Sequence, residues 1–135
     1  MAAPSKAPLQ RNLVAWMDAN SDALFLSAVS IAEIQNGIAK ARRVGETRKA
    51  TALDAWLETL LHLYGDRVLA FDTSVARIAG NISDKARALG RPPGFADIII
   101  AATATHHRLT LLTRNVKHFQ PLGVALHDPF TTLPE

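Results

Sequence analysis

Asp97-Ile-Ile-Ile-Ala-Ala-Thr-Ala-Thr-His-His107, followed closely by Leu109-Thr-Leu-Leu112, is the stretch whose reading decides the architecture. A carboxylate opens a strongly apolar run whose length suits a buried helix, and a short, continuous apolar run follows as a strand. A strand of that kind, apolar at three of four positions rather than at alternate ones, suits a parallel sheet covered on both faces, because such a strand has little solvent side.

Working outward, the same alternation repeats. Leu24-Phe-Leu-Ser-Ala-Val29 and Val68-Leu-Ala-Phe71 read as buried strands, and Val124-Ala-Leu126 as a short last one. Between them lie helical patterns. Leu9, Leu13, Trp16 and Met17 recur at helical spacing after Pro8, which suits a first turn. Ser30-Ile-Ala-Glu33 has the form of a capping box and predicts a helix to about Arg42. A second helix is predicted from Glu46 to about Leu63, with Leu53, Trp56, Leu57, Leu60 and Leu61 on one face. Asp72 is placed to cap a helix running to Leu89, ahead of Gly90. Arg91-Pro-Pro-Gly94 reads as a rigid loop and Thr113-Arg-Asn-Val-Lys-His118 as a polar one. Helices alternating with parallel strands predict one α/β domain over residues 1–135, without repeats or linkers.

Composition narrows the class. The chain has 135 residues, 48% hydrophobic and 20% charged, which is the make-up of a folded domain. It holds no cysteine, so disulfide frameworks and thiolate metal sites are excluded and a cytoplasmic setting is expected. No secretory signal pattern opens it, and no apolar run is long enough to span a bilayer. The net charge of +3 permits a polyanionic partner without requiring one.

In parallel sheets, ligands bind beyond the carboxyl ends of the strands. The polar residues at such places are Ser30, Glu33, Asp97 and the Thr113-Arg114-Asn115 group. A glycine-rich phosphate loop is absent, and no serine nucleophile has a motif around it. What is left is a set of carboxylates suited to a hard divalent ion, since Mg2+ and Mn2+ take oxygen ligands and complete their shells with water and phosphate.

Three blocks carry a family resemblance: Phe25-Leu-Ser-Ala-Val-Ser-Ile-Ala-Glu-Ile-Gln-Asn-Gly37, Gly90-Arg-Pro-Pro-Gly-Phe-Ala-Asp-Ile-Ile-Ile-Ala-Ala-Thr-Ala104, and Leu109-Thr-Leu-Leu-Thr-Arg-Asn-Val-Lys-His-Phe119. In order and spacing they resemble the PIN-domain ribonuclease toxins of the VapC and FitB type, and Asn12-Leu-Val-Ala-Trp-Met-Asp18 is similar to the first helix of that family. The resemblance implies a three-layer α/β/α fold with a mostly parallel sheet. It also implies a metal-dependent endoribonuclease, the toxin of a type II toxin–antitoxin pair. Mg2+ or Mn2+ is the implied cofactor, RNA the substrate, and a cognate antitoxin and a second copy of the chain the partners. Glu33 and Asp97 match the family's metal-binding carboxylates, and Asn115 matches a catalytic loop position that is aspartate or asparagine. His118 stands where many members carry a further acid. The family opens with a strand ending in a metal-binding aspartate, and Met1 to Ala7 has neither a strand pattern nor an acid. The expectation is a start codon assigned too far downstream. The alternative is a truncated, catalytically inactive remnant that binds antitoxin or RNA.

Each candidate also has a plainer reading. Glu33 serves as the partner of a Ser30 cap, Asp97 as a charge favoured by its helix dipole, Asn115 as a turn former, and His118 as a solvated loop residue. Arg91, Arg114 and Lys117, with Thr113, border Asp97 in this reading and are candidates for holding RNA phosphates. His106 and His107 point about 100° apart on one helix and do not converge on one ion. Trp16 and Trp56 are expected in the core or an interface.

Overall fold

The computed structural model describes residues 7–90 and 92–134. Arg91 lies outside the described residues, as do Met1 to Lys6. In chain order the elements are α1 (Ala7–Ala19), β1 (Leu26–Ser27), α2 (Ala28–Arg43), α3 (Thr47–Tyr64), β2 (Val68–Leu69), α4 (Thr73–Arg87), α5 (Phe95–His106), β3 (Leu111–Leu112), α6 (Val116–Phe119) and β4 (Leu126–His127). No described helix is long and apolar enough to cross a membrane.

The strands pair in parallel, as their apolar character predicts. Leu26 and Ser27 face Val68 and Leu69, and Leu111 and Leu112 face Leu126 and His127. They form two separate ladders, and a cleft of about 860 Å³ lies between them, lined by Leu26 and Ser27 of β1, Leu111 and Leu112 of β3, and Ile100 and Thr103 of α5. The Leu111 amide donates to Ala125 O (2.8 Å) and the Thr113 amide to His127 O (3.1 Å). Backbone groups alternate sides along a strand, so those of Leu112 point away from β4.

Strands are shorter than the apolar runs suggest, for local reasons. The hydroxyl of Ser27 accepts from the Val29 amide (3.2 Å), so β1 passes straight into α2 and Ala28 and Val29 become helical. This corrects the expected Ser30–Glu33 capping box: Ser27 is the cap, and both Ser30 and Glu33 lie inside α2. At the other ladder, the Leu109 amide bonds back to Ala104 O (2.8 Å), and Arg108 takes a left-handed φ of 56°. Leu109 and Thr110 are consumed in leaving α5 and only Leu111 and Leu112 pair. Asp72 caps α4 as predicted, accepting from the Val75 amide at 2.9 Å.

Two cores hold the helices. Val75, Ala79 and Ile82 of α4 pack against Ile98, Ala101 and Ala102 of α5, with Phe119 and Val124 closing the cluster. Ile38 and Ala41 of α2 pack against Ala50 and Leu57 of α3. Leu57 is buried and Trp56, about 100° round the helix, is 49% exposed. The tryptophan expected in the core or an interface is thus a surface residue of the isolated chain. Arg67 ties the pieces together: its guanidinium donates to the carbonyls of Ser21, Leu24 (3.0 Å) and Leu63 (2.8 Å).

Ala101 is 0% exposed, so Ala101→Leu has no space for its added carbons and is expected to cost ~1–3 kcal/mol in urea denaturation. Asp72→Ala removes the α4 cap and is expected to cost about 1 kcal/mol in the same measurement. A neutral result in either would contradict the packing or the capping described.

Candidate functional site

Chain direction brings the polar residues to one end. Helix α5 enters the fold at Phe95 and leaves toward β3, which runs back antiparallel to it. The start of α5 therefore lies at the same end of the fold as the residues that follow β3, beyond the carboxyl end of that strand. Asp97 sits in the first turn of α5, after the N-cap Gly94. At that position the helix dipole favours a negative charge.

The residues after β3 form a built turn rather than a loose loop. Thr113 Oγ1 accepts from the Asn115 amide at 3.0 Å, and Asn115 O accepts from the amides of His118 (3.0 Å) and Phe119 (3.3 Å). The segment expected as a polar loop thus contains the short helix α6. Its anchor is Phe119, which is buried in the α4–α5 core. With Phe119 fixed, His118 is directed outward, its ring edge-on to Phe119 at 5.5 Å. His118 Nε2 lies 2.7 Å from Asp97 Oδ2, with side-chain exposures of 43% and 34%. This is a hydrogen bond between two half-open side chains, reachable by solvent and ligand.

Sequence reasoning treated His118 as a solvated loop position, one where related proteins carry an acid, and did not foresee its contact with Asp97. The signal was present: an apolar Phe119 in a polar stretch implies an anchored turn, and the antiparallel course of α5 and β3 implies that this turn meets Asp97.

The other candidates are placed as follows. Asn115 is exposed, and its described role is to shape the turn through its backbone. Thr113 Oγ1 accepts from Asn115, and among the described residues its hydroxyl proton has no acceptor. Arg114 lays its guanidinium over the Phe130 ring at 4.4 Å, and Lys117 is exposed on α6. Glu33 is exposed on α2, and among the described residues its carboxylate takes part in no hydrogen bond or ion pair. Among the described residues no three His, Cys, Asp or Glu side chains gather as a metal cage. His106 and His107 meet edge to face at 4.8 Å, as neighbours on one helix end.

A parallel α/β domain with an aspartate opening its most apolar helix, at the carboxyl ends of its strands, is the architecture of a PIN fold. The chain belongs to the PIN-domain family: the family's profile, described as PIN domain, matches residues 2–121. It is similar to Toxin FitB of Neisseria gonorrhoeae, 34% identical over 129 residues that cover 94% of this chain and 91% of that protein. It is also similar to VapC ribonuclease Y4jK of Sinorhizobium fredii, 35% identical over 126 residues that cover 93% and 89%. Among solved structures, that of FitAB bound to the IR36 DNA fragment contains a similar chain, with TM-score 0.75, 34% identity, and 90% of this chain and 84% of that one covered.

The stacking of Arg114 on Phe130 generates a stability prediction independent of function. An exposed contact of this kind is worth ~0.5–1 kcal/mol. Arg114→Ala is expected to speed amide hydrogen exchange in residues 128–133 while leaving α5 protected; unchanged exchange there would show that the stacking does not hold the C-terminal segment.

Proposed function

We propose that the chain is a metal-dependent endoribonuclease, a single catalytic domain over residues 1–135, serving as the toxin of a type II toxin–antitoxin module in the cytoplasm. The observation that carries this reading is the meeting of Asp97 and His118 at the carboxyl ends of the strands, 2.7 Å apart and open to solvent. Family membership supports it, as does likeness to a VapC ribonuclease and to Toxin FitB.

The donor set suits a hydrated ion. A divalent cation such as Mg2+ or Mn2+ commonly rests on one or two carboxylates and takes its remaining oxygens from water and phosphate. Asp97 and Glu33 are the carboxylates assigned to it here. When bound, such an ion lowers the pKa of a coordinated water and stabilises charge on the phosphodiester under attack. The chain's own groups do the rest. Thr113, with a hydroxyl proton free to donate, and Asn115 orient water or the scissile phosphate. Arg114, Lys117 and Arg91 supply positive charge for the flanking phosphates, a sequence-independent attraction that weakens with salt.

A cognate antitoxin and a second copy of the chain are the proposed partners. The apolar surface available to them includes Trp56 and Leu63 on α3 and the Phe71–Phe95 pair, whose rings meet edge to face at 6.3 Å. Exposed apolar residues grouped in this way mark contact surfaces.

Incubating the protein and Mn2+ with RNA, DNA and a phosphate monoester side by side tests the activity. RNA alone is expected to be cut, chelation to stop cleavage, and Asp97→Asn to lower the rate at least ~10²-fold, the scale on which a charge-stabilising group acts. Equal hydrolysis of DNA or the monoester, or full activity in folded Asp97→Asn, would remove the reading.

A further inference from the structure

We propose that the imidazole of His118 is itself a ligand of the ion held by Asp97, and that this nitrogen makes the site prefer Mn2+ and later first-row divalent ions to Mg2+. The inference rests on the reading above for the presence of an ion at Asp97. It adds a nitrogen ligand to the carboxylates of that reading and the class of metal that follows from it.

Three observations converge on His118. Its Nε2 and Asp97 Oδ2 are 2.7 Å apart. Two donors that each lie ~2.1 Å from one octahedral ion are ~3.0 Å apart, so a shared ion replaces the hydrogen bond when Nε2 gives up its proton, the contact opens by a few tenths of an ångström and the ring turns its nitrogen from Oδ2 toward the ion. The ring is also backed from within: Phe119 is buried at 5% exposure and packs edge-on to the imidazole at 5.5 Å, which keeps His118 on the Asp97 side. Finally, both side chains are partly open, which leaves space for the water and phosphate oxygens that complete six-coordination.

The other donors of that reading, the carboxylates Asp97 and Glu33 with water and phosphate, are all oxygens, so a nitrogen from His118 is the donor that sets selectivity. Carboxylate and water suit Mg2+ and Mn2+ alike, whereas imidazole suits transition ions and is a poor partner for Mg2+. One nitrogen among oxygen donors therefore tilts the balance from Mg2+ toward Mn2+ and further toward the later first-row ions.

The rival role is positioning: His118 could orient Asp97 through its Nε2 proton without touching metal. Loss of affinity alone does not separate the two, because removing an indirect partner also costs roughly 10–100-fold in metal binding. Two readouts do separate them. One is the ratio of Mn2+ to Mg2+ affinity, measured by calorimetric titration of each ion into the parent, His118→Gln, His118→Asp and Asp97→Asn. The other is the electron spin-echo modulation of bound Mn2+, which registers a directly bound nitrogen. Far-UV circular dichroism on the same samples checks that each variant is folded, as expected for a half-exposed side chain.

The expected result is nitrogen modulation in the parent and its loss in both His118 variants. The Mn2+-to-Mg2+ affinity ratio falls several-fold in both, and His118→Asp retains or gains Mg2+. Asp97→Asn abolishes binding of both ions. Mn2+ bound without nitrogen modulation overturns the proposal, as does modulation that persists in His118→Gln, an unchanged affinity ratio, or no Mn2+ binding in the parent. RNA cleavage measured on the same preparations keeps the two ideas apart. An inert protein with nitrogen-coupled Mn2+ retains the ligand assignment and loses the ribonuclease reading, and an active protein without that coupling does the reverse.

Discussion

Helix α5 is packed on nearly every side, and the rest of the structure is arranged around that burial. Ile98, Ile99, Ala101, Ala102, Thr103 and Ala104 are all buried in a helix of 12 residues. The alanines allow α4 to approach closely, and the isoleucines fill the space that remains. Even the one buried polar side chain conforms: Thr103 spends its hydroxyl on Ile99 O, 2.7 Å away in the preceding turn. Among the described residues the buried turns of the helix hold no other polar side chain, so close packing sets its axis and rotation there. That fixed axis gives Asp97 a definite position at the helix mouth.

Burial and chemistry are thus separated along one element. The interior turns of α5 are apolar and rigid, and its first turn carries the charge. The segment after β3 repeats the arrangement on a smaller scale, with Phe119 driven into the α4–α5 core and His118 left beside Asp97. The contact between the two side chains follows from two apolar anchors, each next to or near its polar residue in sequence. Such a pair is held to a narrow range of geometries by those anchors and by the hydrogen-bonded turn from Thr113 to Phe119, while both side chains stay partly open to solvent.

Much of this was legible in the sequence, and the misses have physical causes. The apolar period of residues 98–107 identified a buried helix, and Asp72 announced its own cap. The Gly90-to-Ala104 block pointed to the family and to Asp97. Capping was misplaced at Ser30 because Ser27 and Ser30 are both competent hydroxyls, and only the ladder, which ends at Ser27, selects between them. Strand lengths were overestimated because apolar runs do not reveal which residues are consumed in entering or leaving helices. For Trp56 the sequence left core and interface open, because a helical stripe several residues wide does not show which edge meets the neighbouring helix; its 49% exposure removes the core alternative. His118 was read as a solvated loop residue because its contact with Asp97 arises from tertiary direction, which a residue-by-residue reading registers only through Phe119 beside it.

The central claim is that Asp97 and His118 form one metal-binding centre at the carboxyl ends of the strands. The most direct measurement is an anomalous difference map from crystals grown with Mn2+. The account predicts a peak within bonding distance of both Asp97 Oδ2 and His118 Nε2. A peak bound elsewhere, or one that touches Asp97 while His118 stays turned away, would contradict it.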